Sequence, residues 1–438
     1  MQAETEAMNA RITIEGLHWF NRWRLGNGSS ESFVVPFATT RPVNIVTHGD
    51  THFDYGQFGI HLAQQDVLTF LGDASKVINA RFIDCRKASP SFRTSLSLQF
   101  SPASSRTLVI PPGVAHTFSG LEGVTTLNAY DLFLPPLTSL LQPTLGWTPE
   151  HDIINLPLEV DPASVEGVQP MGEPAANRVY HHLAALQRSI LSTSELSHAE
   201  TRQFTLDTGE HVHIMLQPAV HAAREASAFP VSGIPGVEFK RHGSVRTGEH
   251  SRIVPVMGPS PFYIVDHGAQ PYSFDSFGIH LGQEDHLTFL GPSCQSIRLK
   301  LVDVRAGSAT LHREEWHEFR PDPEMELTIP CGVAHALFDM AHIYTLNRPV
   351  FYLDDARTYE PGNDVIDWPL DDRPYPVLMP NETLASLGYL ETLVEVQKQL
   401  TALAPAAETP KALLVTDEVS GRQVKVILTQ AARSSPAP

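Results

Sequence analysis

The sequence predicts an all-β protein built from two tandem copies of one double-sheet unit. Two observations support this prediction. The 28 glycines and 35 prolines among 438 residues are evenly spread, which is typical of many short strands joined by turns. In addition, the segment 58–72 returns at 277–291 with twelve of fifteen residues unchanged, which indicates a repeated structural unit.

The repeat extends over about eighty residues at a constant offset of 219 positions, which is half the chain length. Residues related by this offset include the pairs His48/His267, His61/His280, Asp84/Asp303, His116/His335 and Asn128/Asn347. We therefore predict an N-terminal unit over 1–217 and a C-terminal unit over 237–432. The Ala-, Ser-, Pro- and Gly-rich stretch 218–236 is predicted to be a linker, and 433–438 a disordered tail.

Within each unit, short apolar runs alternate with turn signals. The first unit has INARFIDCR, TSLSLQF, RTLVIPPG and VTTLNAYDLFL, and the second has SIRLKLVDVR, MELTIPCG and HIYTLNRPVFYL. Strands at this spacing predict a jelly-roll barrel, in which two sheets hide most strand edges. Apolar residues at helical spacing near 182 and 388 predict a short helix after each barrel. The alternating segments 211–217 and 423–429 predict a closing strand or hairpin.

Composition excludes several classes of protein. Acidic residues outnumber basic ones by 49 to 31, and the net charge of −18 predicts that neither nucleic acid nor an anionic membrane is a partner. The first residues lack the pattern of a signal peptide and no apolar run is long enough to span a membrane, so we expect a cytoplasmic location. The three cysteines are far apart, which supports neither a disulfide framework nor a zinc–thiolate site.

Two histidines in each unit are candidates for chemistry. His61 lies in the strand-like run GIHL, and His116 follows a Pro-Pro-Gly turn in IPPGVAH; His280 and His335 occupy the same contexts in the second unit. A single buried histidine is most simply structural. The recurrence of the whole combination, about fifty-five residues apart in both units, instead predicts a pocket that contains two imidazoles.

These motifs resemble the cupin family of nucleotide-sugar 3,5-epimerases, typified by dTDP-4-dehydrorhamnose 3,5-epimerase. The resemblance rests on G-I-H-L-x-Q, on Asp-x-Arg at 84–86 and 303–305, and on I-P-x-G-V-A-H, and it covers roughly 45–160 and 260–372. It implies a jelly-roll barrel that binds a nucleotide-linked 4-keto sugar and exchanges protons beside the carbonyl. The chain would then be a bicupin, with an intrachain pseudo-dimer that could itself form a homodimer.

The resemblance also implies roles for single residues. His61 and His280 match the catalytic base of the family, and His116 and His335 match the histidine of its second motif in the same pocket. An imidazole suits this chemistry because its pKa lies near neutrality. We predict that the aspartates of the Asp-x-Arg motif, Asp84 and Asp303, orient an imidazole. The alternative is an ordinary ion pair with the neighbouring arginine.

Three positions depart from the family pattern in both units. The phosphate-binding arginine is replaced by Phe58 and Phe277, the enolate-stabilising lysine by Gln65 and Glu284, and the tyrosine acid by Asn128 and Asn347. We expect these six residues to line the substrate site. Tyr55 and Tyr130 are candidate replacement acids in the first unit, where the second has Phe274 and Pro349.

The sequence therefore predicts an epimerase or isomerase that acts on a keto sugar by histidine-mediated proton abstraction and needs no cofactor. One alternative is an iron- or manganese-dependent bicupin oxygenase, with His280, Glu284 and His335 as ligands of a divalent metal. A second alternative is a non-catalytic module that binds a sugar or another metabolite. All three share a small-molecule partner.

Overall fold

The computed structural model describes residues 2–26, 32–134, 153–175, 180, 200–205, 211–216, 229–241, 244–246, 252–256, 258, 260–353, 365–403, 412–416 and 423–427. They form two compact units. Unit 1 comprises Met1–Asn21, Arg41–Glu225 and Gly243–Met257, and unit 2 comprises Arg22–Thr40, Ala226–His242 and Gly258–Pro438.

Among the described residues, strands dominate and the prediction of an all-β fold is confirmed. Within the described ranges, α-helix α1 spans Gln2–Asn9, α-helix α2 spans Leu387–Leu403, and Pro162–Ser164 forms a single turn of 3-10 helix. The strands are β1 (His18–Asn21), β2 (Leu25–Gly26), β3 (Phe33–Pro36), β4 (Val43–Thr47), β5 (Gln57–His61), β6 (Gln64–Leu71), β7 (Ile78–Asp84), β8 (Ser95–Phe100), β9 (Arg106–Ile110), β10 (Val114–Ser119), β11 (Thr125–Asn128), β12 (Asp131–Leu134), β13 (Ile153–Pro157), β14 (Glu173–Pro174), β15 (Glu200–Thr205), β16 (His211–Leu216), β17 (Glu238–Arg241), β18 (Val245–Arg246), β19 (Arg252–Val256), β20 (Tyr263–Asp266), β21 (Ser276–His280), β22 (Gln283–Leu290), β23 (Ile297–Asp303), β24 (Glu314–Phe319), β25 (Asp322–Ile329), β26 (Val333–Phe338), β27 (Tyr344–Asn347), β28 (Val350–Leu353), β29 (Val365–Pro369), β30 (Thr383–Leu384), β31 (Ala412–Thr416) and β32 (Gln423–Ile427).

Unit 1 contains two large antiparallel sheets. The first has the order β1-β9-β6-β11-β4-β19-β18, with β12 paired to β6 and β14 paired to β12, and the second has the order β13-β5-β10-β7-β8. The core lies between the sheets and includes Phe70 from β6, Phe82 from β7 and Leu108 from β9. Alternate residues of β7 are buried in this core, as expected for a strand with one apolar face.

Unit 2 has the corresponding arrangement. Its first sheet has the order β17-β25-β22-β27-β20-β3-β2, with β28 and β30 attached, and its second has the order β24-β23-β26-β21-β29. The core between them includes Phe289, Leu299 and Leu327. Two-stranded hairpins, β15-β16 and β31-β32, follow the large sheets in the chain.

The units are not contiguous in sequence. Strand β19 pairs with β4 in unit 1, whereas β3 pairs with β20 in unit 2. The predicted division into 1–217 and 237–432 therefore differs from the compact units at 22–40 and 243–257. The physical reason is that each first sheet takes its outermost hairpin from the distant half of the chain, a pairing that local sequence patterns do not encode.

Several predicted end elements have a structural counterpart. The helix expected near 388 is α2, and the alternating segments near 211 and 423 are strands β16 and β32 of the two hairpins. The helix expected near 182, residues 218–228 of the predicted linker and the tail over 433–438 lie outside the described residues. No helix within the described ranges is both long and apolar enough to cross a membrane.

Candidate active site

His61 is the last residue of β5 and stands one tight connection before β6. Its backbone carbonyl accepts a hydrogen bond of 2.7 Å from the amide of Gly113. Gly113 belongs to the turn that precedes β10, so this hydrogen bond ties the end of β5 to the start of β10. The two predicted motifs therefore meet through a backbone contact as well as through their side chains.

His116 enters the same site from β10, where it lies opposite Gly59 of β5 and Phe82 of β7. The turn before β10 requires a glycine, because Gly113 has a φ of +83° and a Cβ there would lie 2.6 Å from Cγ of Arg86. The equivalent Gly332 of unit 2 has a φ of +75° and the same close approach to Arg305. The Pro-x-Gly turn thus directs the following histidine into the site.

Asp66, on β6, is the carboxylate that faces both imidazoles of unit 1. Its Oδ2 lies 3.7 Å from Nε2 of His61 and 3.2 Å from Nε2 of His116. Its Oδ1 accepts hydrogen bonds from the side-chain amides of Gln64, at 2.7 Å, and Asn128, at 2.8 Å. The carboxylate is 3% exposed, so these four neighbours replace the water that would otherwise solvate its charge.

Unit 2 repeats this arrangement atom for atom. Oδ2 of Asp285 lies 3.6 Å from Nε2 of His280 and 3.5 Å from Nε2 of His335. Its Oδ1 accepts hydrogen bonds from Gln283, at 2.7 Å, and Asn347, at 2.8 Å. We call His61, Asp66 and His116 the unit 1 centre, and His280, Asp285 and His335 the unit 2 centre.

The imidazole rings within each centre are stacked. Their centroids are 5.8 Å apart in unit 1 and 5.7 Å apart in unit 2, with interplanar angles of 28° and 23°. Nδ1 of His116 lies 3.2 Å from the carbonyl oxygen of Val114, and Nδ1 of His335 lies 3.3 Å from that of Val333. Because a carbonyl oxygen only accepts hydrogen bonds, Nδ1 is the donor in both rings.

Electrostatics in the centres follow from burial and from these contacts. Burial alone would raise the pKa of Asp66, but the two imidazoles and the two amide donors outweigh it, so the pKa lies below its usual value. The same causes lower the pKa of Asp285. Burial lowers the pKa of His116 and of His335, against the opposing effect of the aspartate. Each centre is thus built to hold a carboxylate beside imidazoles.

Asp84 and Asp303 do not supply this carboxylate. Asp84 accepts hydrogen bonds from Nε of Arg86, at 2.9 Å, and from the hydroxyls of Ser89 and Ser91, at 2.6 Å each. Asp303 binds Arg305, Ser308 and Thr310 in the same way. The predicted orientation of an imidazole by these aspartates is wrong. Both instead form an ion pair with the arginine two residues later. The carboxylate of each pair is completely buried, and the arginine is mostly buried.

The ion pair has a structural role next to the site. The aliphatic part of Arg86 covers Gly113, and that of Arg305 covers Gly332, which are the glycines of the two Pro-x-Gly turns. Asp84 and Asp303 are completely buried and fix these arginines in place. They therefore stabilise the turns that precede His116 and His335, and they do so through the arginines rather than by contact with the imidazoles.

The residues expected to line the substrate site divide into three groups. Phe58 and Phe277 are completely buried in apolar clusters with Ile60 and Ile279, so their predicted contact with substrate is wrong. The reason is the two-residue period of a strand, which directs Phe58 and His61 to opposite faces of β5.

Gln65 and Glu284 also point away from the centres. The amide of Gln65 donates to Asp131, and Oε1 of Glu284 lies 2.9 Å from Nε2 of His286. Glu284 therefore does not join His280 and His335 as a third ligand, because the adjacent Asp285 occupies that position. Asn128 and Asn347 do belong to the site. Their side-chain amides donate hydrogen bonds to Asp66 and Asp285, so their role there is to position the carboxylates.

Tyr55 lies near the unit 1 centre. Its hydroxyl is 3.1 Å from Nε2 of His48, whose Nδ1 lies 3.1 Å from the carbonyl oxygen of Val124. Nδ1 of His48 is therefore a donor, and the Tyr55 hydroxyl donates its proton to Nε2. Partial burial, together with the negative charge of Asp66, raises the pKa of Tyr55 to about 12. Tyr130, the other candidate acid, is buried in an apolar cluster with Leu132 and Tyr180.

Sequence reasoning missed the two central aspartates. Asp66 and Asp285 stand at the fixed offset of 219, within the segment that changes least between the two halves of the chain. Each follows a glutamine by two positions, on the same strand face. The available signal was an acidic residue retained in both units and followed directly by the mostly apolar, buried end of a strand, because such a carboxylate needs partners when it is buried.

Comparisons with known proteins give distant likenesses only. No family model matches the chain, and no curated protein matches it. Among solved structures, an epimerase of Mycobacterium tuberculosis is 15% identical and overlaps 40% of this chain and 89% of its own, with a TM-score of 0.25. The dTDP-4-dehydrorhamnose 3,5-epimerase of Bacillus anthracis, solved with TDP and PPi, is 15% identical and overlaps 37% and 90%, with a TM-score of 0.23.

A mutant of the sugar 3,4-ketoisomerase of Thermoanaerobacterium thermosaccharolyticum, solved with TDP-4-keto-6-deoxyglucose, is also similar. It is 17% identical and overlaps 30% of this chain and 88% of its own, with a TM-score of 0.23. At such low identity and TM-score, these likenesses assign neither a family nor an activity to the chain.

Proposed function

We propose that each unit moves a proton beside the carbonyl group of a keto sugar, as an epimerase or isomerase does, with His61 and His280 as the bases. The observation that carries this proposal is the placement of two imidazoles around one buried carboxylate in both units. Proton abstraction next to a ketone needs a base that is free near neutral pH, and a neutral imidazole is such a base.

The aspartate would stabilise the proton once it has been taken up. When His61 becomes an imidazolium, Oδ2 of Asp66 lies 3.7 Å from its Nε2 and balances the new charge. The amides of Gln64 and Asn128 hold that carboxylate in place, so it need not reorganise during the reaction. His116, stacked on His61, provides a second acceptor beside the same oxygen.

The residues around each centre favour a keto sugar without a nucleotide over a nucleotide-linked one. The positions where the resembled family has a phosphate-binding arginine hold buried phenylalanines, and the net charge of the chain is −18. In unit 1, we assign the proton donor of the opposite step to Tyr55, whose phenol lies near enough to the centre for the charge of Asp66 to act on it. In unit 2 the equivalent residue is Phe274.

Solvent-deuterium exchange into candidate 4-keto sugars tests this proposal directly. Chelator-treated protein is incubated with the sugar in D₂O, and deuterium beside the carbonyl is measured by NMR and mass spectrometry. We expect exchange by the wild-type chain and a loss of at least about 100-fold in the double variant His61→Gln, His280→Gln. The control is His52→Gln, which changes a histidine whose side chain is 80% exposed and should leave the rate unchanged.

Two results would contradict the proposal. If the double variant exchanges deuterium as fast as the wild-type chain, the histidines are not the bases. If the wild-type chain binds a keto sugar tightly but exchanges no deuterium, the units are binding modules rather than catalysts.

A further inference from the structure

We infer that the two imidazoles and the aspartate of each centre form a binding site for one first-row divalent cation, such as Co²⁺, Zn²⁺, Fe²⁺ or Mn²⁺. This inference goes beyond the proposed function, which requires no cation. It assigns one site to the unit 1 centre and one to the unit 2 centre, and in both the third ligand is an aspartate on the strand that follows the first histidine.

The distances within each centre suit a shared cation. The three candidate ligand atoms, Nε2, Nε2 and Oδ2, all lie within 4.8 Å of one another in both units. The nitrogen–oxygen separations are 3.7 and 3.2 Å in unit 1, and 3.6 and 3.5 Å in unit 2. Ligand atoms about 2.1 Å from one metal ion are separated by roughly 3.0 to 3.4 Å at octahedral or tetrahedral angles. Small side-chain movements would therefore bring all three atoms into contact with one ion.

The hydrogen bonds of the second imidazole point to the same conclusion. In His116 and His335, Nδ1 donates to a backbone carbonyl, so the neutral ring carries its lone pair on Nε2. That lone pair faces a carboxylate oxygen, which also carries lone pairs. Two such atoms repel each other unless a positive charge lies between them, and either a proton on Nε2 or a divalent cation supplies that charge. The distances to all three atoms favour the cation, and titration with Co²⁺ distinguishes the two.

The outer contacts match those of protein metal sites. Histidines that bind metals usually donate their other ring N–H to a carbonyl or carboxylate, and the liganding carboxylates are themselves hydrogen-bonded. Asp66 uses Oδ1 for Gln64 and Asn128 and leaves Oδ2 for the imidazoles. Asn128 is fixed in turn, because its own Oδ1 accepts a hydrogen bond from the amide of Val67. Gln283 and Asn347 hold Asp285 likewise.

The ligand set also defines the class of cation. Two imidazoles and one carboxylate favour borderline first-row ions over Ca²⁺ or Mg²⁺, which prefer oxygen ligands alone. Three protein ligands leave further coordination positions for solvent or a small molecule. The site is reachable, because 17% of the His61 side chain and 15% of the His280 side chain are exposed.

Titration of the chelator-treated full-length chain with Co²⁺ tests this inference. Visible absorption of the bound ion and isothermal titration calorimetry give the number of sites and their affinities. We expect two Co²⁺ per chain, one in the single variants Asp66→Asn or Asp285→Asn, and none in the double variant. Asparagine keeps the size of the side chain and removes its charge, and circular dichroism verifies that each variant is folded.

Matched variants separate the ligands from their neighbours. Glu284→Gln should still bind two Co²⁺, because Glu284 contacts His286 and not the centre. Asn128→Ala and Asn347→Ala should keep both sites but weaken one each by about 10- to 100-fold, as loss of an outer contact does. Should an aspartate variant not fold, the wild-type chain offers a second measurement, since bound Co²⁺ shifts the NMR signals of coordinating histidine ring protons.

The inference is overturned if the wild-type chain binds no Co²⁺, if the double variant retains both sites, or if the histidine ring signals are unshifted. The titration contains no sugar and follows binding alone. The metal site and the proposed proton transfer can therefore fail separately: Co²⁺ binding without deuterium exchange contradicts only the proposed function, and exchange without Co²⁺ binding contradicts only the metal site.

Discussion

The two units hold the same centre in different surroundings. Distances between the aspartate and the two imidazoles fall between 3.2 and 3.7 Å in both, and each carboxylate has the same two amide donors. Beside the unit 1 centre, Tyr55 donates to His48, whereas unit 2 has Phe274 there and its His267 contacts Thr345 instead. The centre has thus stayed the same while its neighbours have changed.

A second difference lies along the first sheet. In unit 2, a row of charged side chains runs across three strands: Lys240 contacts Glu326, Glu326 contacts His286, and His286 contacts Glu284. The residues at the equivalent strand positions of unit 1 are Phe20, Thr107, Val67 and Gln65, none of which is charged. In unit 2, His286 lies between two carboxylates, so we expect the stabilities contributed by these side chains to depend on one another. The same centre is therefore found beside a charged sheet surface in unit 2 and beside an uncharged one in unit 1.

The largest expected effect concerns a feature that the units share. Asp84→Asn and Asp303→Asn should each lower the free energy of unfolding by about 3–5 kcal/mol, because each leaves a partly buried arginine without its carboxylate. The control is Asp339→Asn, which breaks an ion pair with Arg298 whose side chains are about half exposed, and should leave the free energy of unfolding nearly unchanged. Urea unfolding measures all three.

The pH dependence of this effect has a definite sign. The hydrogen bonds from arginine and hydroxyl groups outweigh burial and lower the pKa of both aspartates below the ordinary 3.8. Their stabilisation is therefore fully present above pH 3.8 and is lost as the pH falls toward the lower folded-state pKa. Equal stability of Asp84→Asn and the wild-type chain at pH 7 would show that the ion pair does not support the turn.

The charged row of unit 2 should contribute to stability in a way that unit 1 does not. His286→Val introduces the unit 1 residue and should cost up to about 3 kcal/mol at pH 7, because Glu284 and Glu326 lose the cation between them. Burial alone would lower the pKa of His286, but hydrogen bonds to Glu284 and Glu326 raise it to about 9. The wild-type chain should therefore keep this stability below pH 6.5 and lose it as the pH rises through about 9, and the variant should not.

A triple variant provides the matched test. His286→Val, Glu284→Gln and Glu326→Thr together reproduce the neutral row of unit 1 and should recover most of the stability lost by His286→Val alone. Thermal unfolding between pH 6 and 10 measures both properties. A triple variant no more stable than the single one would show that the row is not a coupled unit.

The smallest expected effect concerns Tyr55, which only the unit 1 centre has. In a His280→Gln background, Tyr55→Phe should slow deuterium exchange by about tenfold, because unit 1 then lacks its proton donor. Phe274→Tyr in a His61→Gln background adds a phenol to unit 2 at the matching place and should not slow exchange. Initial rates in D₂O measure both. An unchanged rate in the Tyr55→Phe variant would remove this phenol from the proposed mechanism.

Much of the fold could be predicted because it follows from local patterns. Alternation, turns and the internal repeat indicate short strands in two similar halves, and the Pro-x-Gly turn indicates where His116 and His335 enter the site. Two hairpins, β2-β3 and β18-β19, each pair with a sheet formed mainly by the other half of the chain, and we call them the exchanged hairpins. This pairing could not be predicted, since the sequences of β3 and β19 resemble those of other outer strands. Which distant edge they join is decided by the packing of the whole sheet.

The site was predictable in its histidines and less so in its carboxylates. Asp84 belongs to a recognisable Asp-x-Arg motif, but the sequence allowed it to orient an imidazole or to pair with Arg86. The structure of the turn around Gly113 shows that it pairs with Arg86. Asp66 belonged to no motif, and its importance depends on Gln64 and Asn128, which come from two different strands. Phe58 could have been excluded from sequence alone, because three positions along a strand separate it from His61 and place the two on opposite faces.

The exchanged hairpins set the order in which the chain can complete its structure. Thr47 of β4 pairs with Arg252 of β19, and Val34 of β3 pairs with Val265 of β20. A growing chain therefore synthesises nearly all of unit 1 before the strand that covers the β4 edge exists, and β3 must wait in the same way for β20. Contacts between such distant positions are slow to form, and an open strand edge invites aggregation. Neither half of the gene encodes a complete unit, so a fragment that ends near residue 217 would leave its first sheet unfinished.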